Sequence, residues 1–165
     1  MIVLTRISSI NLKNNRMDKL GYIPGDLVMT NGVPLGTAKD VVYRVTSSDP
    51  SKTLELDDGT VLKGVVCLEN IEGAEFGEKG YLSGDCCAWV KNIVPIVLTP
   101  TILRKNGWFN LEECPHVFAL GDIKIATQLG VSSLYFKETK IFSFEYVHEL
   151  YHFLFSIGIY REMEV

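Results

Sequence analysis

A chain of 165 residues, 47% hydrophobic and 10% aromatic, can build one domain of ordinary size or two small lobes that share a core. It is too apolar for disorder. Its net charge of −4, about −2 on each side of Pro95, excludes the basic footprint that bulk binding to a phosphate backbone requires.

No stretch reaches the roughly 18 apolar residues of a membrane span. The start, MIVLTRISSINLKNNR, lacks the apolar core and cleavage site of a signal peptide, and residues 141 to 160 carry no Lys or Arg for a membrane surface. A cytoplasmic location is the expectation, with Cys67, Cys86, Cys87 and Cys114 reduced.

Residues 1–95 read as a β-rich lobe. GDLVMT (25 to 30) is a strand followed by Asn31-Gly32, a tight-turn pair. VVYRVTS (41 to 47) alternates as a half-buried strand does, and TLELD (53 to 57) runs into Asp58-Gly59 before TVLKGVVCLENI. This spacing predicts a small SH3-like barrel. Glu72 to Asp85, rich in glycine and charge, reads as an exposed loop, with CCAWVKNIV (86 to 94) returning as a closing strand.

Residues 96–165 read as an α+β lobe. Thr99-Pro100 offers a cap and a first-turn proline, and Gly107 a stop, so TILRKN is a short helix. HVFAL, IKIATQL and SSLYFK are three antiparallel strands with turns at Gly121-Asp122 and Gly130. Residues 142 to 160 form an amphipathic C-terminal helix, and 12 of the 17 aromatics fall in this half and mark a second core. The expected fold class is therefore α+β: a barrel-like lobe, then a helix, an antiparallel sheet and a final helix.

The sharpest chemical motif is His148-Glu149-Leu150-Tyr151-His152. On a helix, HExxH sets two imidazoles one turn apart to hold zinc, with the glutamate placed to deprotonate a metal-bound water. At about 100° per residue, Glu145, His148, Glu149, His152 and Ser156 share one polar arc, which a solvated helix face produces equally well. A catalytic zinc needs a third ligand. The extended HExxHxxGxxH form fails, with Phe155 in place of its glycine and Gly158 in place of its histidine; Glu162, Glu164 and His116 are the residues left to supply one. The solvated face is the preferred reading, and no metal or other cofactor is expected.

Weaker constellations were weighed too. Cys86, Cys87, Cys114 and His116 make a poor tetrahedral set, because adjacent cysteines chelate badly. Lys91, Trp89, Arg104 and Trp108 could contribute to a single-stranded nucleic-acid surface, though both tryptophans fit a core better. Neither a dinucleotide fingerprint nor a phosphate loop is present.

Two segments carry a resemblance. PIVLTPTILRKNGWF (95 to 109) and FEYVHELYHFLFSIGI (144 to 159) resemble a pattern in small proteins of Bacteroides-type gut bacteria and their phages and prophages. Pro95, Ile96, Leu98, Thr99, Ile102, Leu103, Asn106, Gly107 and Trp108 match its first helix region. Tyr146, Val147, His148, Glu149, Leu150, Leu154 and Phe155 match its C-terminal helix. That pattern usually has glutamine at the position of Tyr151 and often lacks histidine at that of His152. The resemblance implies an origin and an architecture, and brings no activity with it.

The expected function is thus a non-enzymatic, phage- or mobile-element-associated interaction protein with a protein partner, and a homo-oligomer remains open. The alternatives are an HExxH zinc metallopeptidase, using His148, His152 and Glu149, and a module binding small molecules or single-stranded nucleic acid.

Overall fold

The computed structural model describes residues 21–84 and 86–165. The signal-peptide reading of residues 1–16 falls outside them. Two five-stranded antiparallel sheets supply most of the regular structure of the described residues. Among the described residues no helix is long and apolar enough to cross a membrane.

The first sheet contains β1 (Leu27–Thr30), β2 (Tyr43–Glu55), β3 (Val61–Asn70), β4 (Cys86–Trp89) and β5 (Ile93–Pro95), in the order β4-β3-β2-β1-β5. Along β3, Leu62, Val66 and Leu68 alternate with more exposed residues, so one face is buried. The Asp58-Gly59 turn forms as expected: Gly59 takes a positive φ, and the Asp58 carboxylate accepts from the Thr60 amide at 2.9 Å.

Four expectations change here. Asn31-Gly32 does not join two strands tightly, since residues 31–42 separate β1 from β2. The segments 41 to 47 and 53 to 57 contribute to one long β2, whose register against β3 shifts twice, between Val45 and Ser47 and between Asp49 and Thr53. Such shifts absorb extra residues and bend a strand.

CCAWVKNIV is two strands, not one. A 3-10 turn, Val90–Asn92, carries the chain from β4 at one edge to β5 at the other. Gly64 lets this turn sit on β3, since a Cβ there would lie 2.9 Å from Val90 Cγ2. No ladder joins the two edges, so the expected barrel is not closed; β4 pairs only with β3, and β5 only with β1, among the described residues.

Helix α1 (Pro100–Lys105) follows, and Thr99 Oγ1 accepts from the Ile102 amide at 3.2 Å as an N-cap. The second sheet is a meander of β6 (Phe109–Leu111), β7 (Cys114–Leu120), β8 (Ile123–Gln128), β9 (Val131–Phe136) and β10 (Thr139–Phe144), each beside the next. Helix α2 (Val147–Ser156) closes it. The expected final helix is therefore shorter, because Phe142 and Phe144 belong to β10.

Two apolar clusters result. Tyr22, Val28, Val41, Tyr43, Val66 and Leu68 anchor the first; Trp108, Phe118, Ile125, Leu134, Phe144 and Leu150 anchor the second. β1 serves both. Successive side chains on a strand point to opposite faces, so Val28 enters the first cluster while Leu27 and Met29 pack against the second. The tail is tied back by Asn106, whose side chain donates to the Glu164 carbonyl at 2.7 Å and accepts from the Glu164 amide at 2.9 Å.

Candidate functional site

The HExxH segment lies on α2 where that helix faces the start of β1. Each of its polar residues has a local task. Glu149 stands in the first turn and turns back, its Oε2 accepting from the amides of Glu145 at 2.9 Å and Tyr146 at 3.0 Å. This is the carboxylate half of a capping box, which satisfies donors that the first turn of a helix leaves free.

His148 and His152 are not on a solvated face, contrary to expectation. His148 is 5% exposed and packs between Tyr22, at 5.1 Å between ring centroids, and Tyr146, stacked at 5.8 Å. His152 meets His148 edge-on at 5.6 Å. Its Nε2–H donates to Asp26, with both carboxylate oxygens at 2.9 Å.

Asp26 is the residue that sequence reasoning missed. It is fully buried, and its Oδ2 also accepts from the Ile23 amide at 2.8 Å. The turn Ile23-Pro24-Gly25-Asp26 positions it: proline presets φ, Gly25 takes φ +97, and the Asp26 amide donates to the Ile23 carbonyl at 3.1 Å. Gly25 is required on a second ground, because a Cβ there would overlap the Tyr151 hydroxyl. Sequence reading placed Gly25 and Asp26 in the strand 25 to 30, and nothing local linked Asp26 to a histidine 126 residues away.

Electrostatics follow from this burial. Desolvation lowers His148 to about 4; Asp26 opposes that and His152 reinforces it. His148 is therefore neutral at neutral pH. Tyr22 is pushed far up, by burial first and then by Asp26 and Tyr146, so it stays a phenol. Its hydroxyl and His148 Nδ1 are buried without a hydrogen-bond partner among the described residues. Each such atom costs about 1–3 kcal/mol.

For zinc chemistry, His148, His152 and Asp26 are the nearest ligand types, yet among the described residues no three His, Cys, Asp or Glu side chains converge as a metal set. Glu162 instead faces Arg44, 3.7 Å away, and His116 is exposed on β7 of the second sheet. Within the described residues, His152 hydrogen-bonds only to Asp26, so the pair lacks the hydroxyl or thiol a nucleophilic triad would place there.

The other sequence candidates are dispersed. Cys86 and Cys87 lie on β4, whereas Cys114 and His116 lie on β7. Trp108 is buried in the second core and Arg104 lies over Phe118, while Trp89 and Lys91 belong to the first lobe.

A second region has the opposite character. Beside β4, residues 31–42 and 72–84 enclose an open groove of about 440 Å³ lined by Leu35, Phe76, Tyr81, Leu82, Cys86 and Cys87. Leu35 is 93% exposed and Phe76 89%. Asn70 fixes the longer loop, donating to the Gly80 carbonyl at 2.9 Å and accepting from the Ala74 amide at 3.1 Å. Phe76 rests edge-on against Tyr81 at 5.7 Å. Three exposed carboxylates, Glu72, Glu75 and Glu78, stand on this loop, and its Lys79 is paired with Asp40. Sequence reading placed the loop outside but missed its apolar tips.

In comparisons with known proteins, no family model, curated protein or solved structure matches the chain.

Proposed function

We propose that this chain is a non-enzymatic interaction protein that receives an extended segment of a protein partner at the edge of β4. The observation that carries this reading is the apolar groove beside that edge, with Leu35 and Phe76 almost wholly exposed. An edge strand presents unpaired backbone groups, and a neighbouring apolar groove offers places for alternate side chains. The surplus of carboxylates on the 72–85 loop favours a segment whose apolar residues are flanked by Lys or Arg.

Two further elements belong to the proposal. The strand order β4-β3-β2-β1-β5, with a 3-10 turn linking the two edge strands, supports an SH3-like character for the first lobe. The resemblance of the α1 and α2 regions supports a phage or mobile-element origin. Zinc-dependent peptide hydrolysis is the rival: it would require Glu149 to leave the helix cap and His152 to ligate through Nδ1 or leave Asp26.

The test uses fluorescent nine-residue peptides of alternating Val and Thr, one flanked by lysines and one by glutamates, read by anisotropy. Saturable binding of the lysine-flanked peptide, lost in Leu35→Asp/Phe76→Asp, is expected, with slowed amide exchange along β4. No saturable binding by either peptide, or equal binding by the double variant, would overturn the reading.

A further inference from the structure

Three cysteines meet at the edge of the first sheet, and strand geometry sorts them. β4 runs antiparallel to β3 so that Cys87 stands directly opposite Cys67, and Cys86 opposite Leu68. Alternation puts Cys86 on the inner face with buried Ala88, where its thiol points to the Leu35 carbonyl at 3.4 Å. Cys67 and Cys87 share the outer face at directly opposed positions, one half-buried and the other exposed. Cys114 lies in the second sheet.

We propose that Cys67 and Cys87 are a site of reversible oxidation, closing to a cross-strand disulfide with a hydroperoxide as the oxidant. The inference does not depend on the function proposed above. Directly opposite residues in an antiparallel pair have Cβ atoms about 4.5–5.5 Å apart, and a disulfide needs about 3.5–4.5 Å. Closure therefore asks β4 to move by about 1 Å. A four-residue edge strand paired on one side among the described residues can do so without disturbing the core face. Cys86 and Cys87 cannot pair in place of this couple, because they point to opposite faces of one strand.

The neighbouring Cys67 thiol, then burial, pushes the Cys87 thiol up to about 11, so Cys87 keeps its proton at neutral pH. The Cys67 sulfur, giving up its proton, attacks hydrogen peroxide; the O–O bond breaks, water leaves after protonation, and Cys67 becomes a sulfenic acid. The Cys87 sulfur then attacks that sulfur, the S–O bond breaks, the S–S bond forms, and a second water leaves. The two thiols lose two electrons and two protons in total, and one peroxide is reduced to two waters. A reducing dithiol reverses the bond by exchange.

Intact-mass and peptide mapping test this on the full chain treated with equimolar hydrogen peroxide. The expected product is lighter by about 2 Da, the two thiol hydrogens. Digestion after lysine should join peptides 64–79 and 80–91, and dithiothreitol should separate them. Cys86→Ser should retain the link, whereas Cys67→Ser and Cys87→Ser should lose it. Sulfenic or sulfinic acid without a link in the wild type, or a link that survives in Cys87→Ser, would overturn the proposal. The wild-type peptide map alone decides the first of these, so a variant that folds badly does not blunt the test.

Discussion

Two neighbourhoods of this protein invite opposite first impressions. The α2–β1 seam holds the residue types of a hydrolase, yet almost every one is committed inward: Glu149 caps its helix, and His152 bonds a fully buried Asp26. The β4 groove is lined by no charged side chain among the described residues, yet Leu35 and Phe76 at its rim are almost wholly exposed. A motif shows which residues are present. Burial and hydrogen bonding show which are free to act on something else.

The seam should break hardest at Asp26. Removing one partner of a buried hydrogen-bonded pair leaves the other unsatisfied and costs about 1–3 kcal/mol, more where the stranded group is a carboxylate. Asp26→Ala and His152→Ala should each show that loss in urea unfolding, and Asp26→Leu/His152→Leu should recover most of it. If both single variants unfold like the wild type, the seam is not a structural joint.

Acid should reach the seam next, through His148. Its folded value of about 4 lies below the ordinary 6.5, so the unfolded chain takes the proton first as pH falls. Stability is then fully present above about 6.5 and declines as pH falls towards about 4, by roughly 3 kcal/mol over the window. A His148→Phe variant should lack that slope in unfolding curves at a series of pH values.

Glu149 gives a smaller and more diagnostic effect. Glu149→Ala should cost about 1 kcal/mol, as the loss of a helix cap does. Glu149→Gln keeps an accepting oxygen and should cost less. Urea unfolding measures both. A peptidase activity present in the wild type and abolished by Glu149→Gln would transfer the seam from architecture to catalysis.

The groove should register least in stability. Phe76→Asp should stay within about 0.5 kcal/mol of the wild type, as surface changes do, while removing the binding of the lysine-flanked peptide. A large loss of stability would mean that Phe76 supports the 72–85 loop rather than facing a partner.

The parts of the fold that were legible in the sequence carry local signals. Thr99, Pro100 and Gly107 bracket α1, and Gly121 and Gly130 separate β7, β8 and β9. Residues 142–144 of β10 were given to the final helix because the turn before that strand lacks glycine: Lys137 and Glu138 supply the two positive φ angles instead. The polar arc of the final helix was given to solvent, since helical projection cannot show what lies opposite; Glu145 stands before α2, and His148 and His152 face Tyr22 and Asp26. Asp26 and Tyr22 were invisible as partners of that arc for the same reason. The apolar loop tips at Leu35 and Phe76 were missed because periodicity says nothing about residues outside regular elements.

The sharing of β1 between both cores has a consequence during synthesis. Leu27 and Met29 leave the ribosome early, but the cluster they join needs Leu150 and Leu154. Asp26 likewise waits for His152, a separation of 126 residues and roughly 6–25 s at ordinary elongation rates. Until then the nascent first lobe carries an uncovered apolar strand face beside an unmated carboxylate. Helix α2, more than a hundred residues further along the chain, is what shelters it.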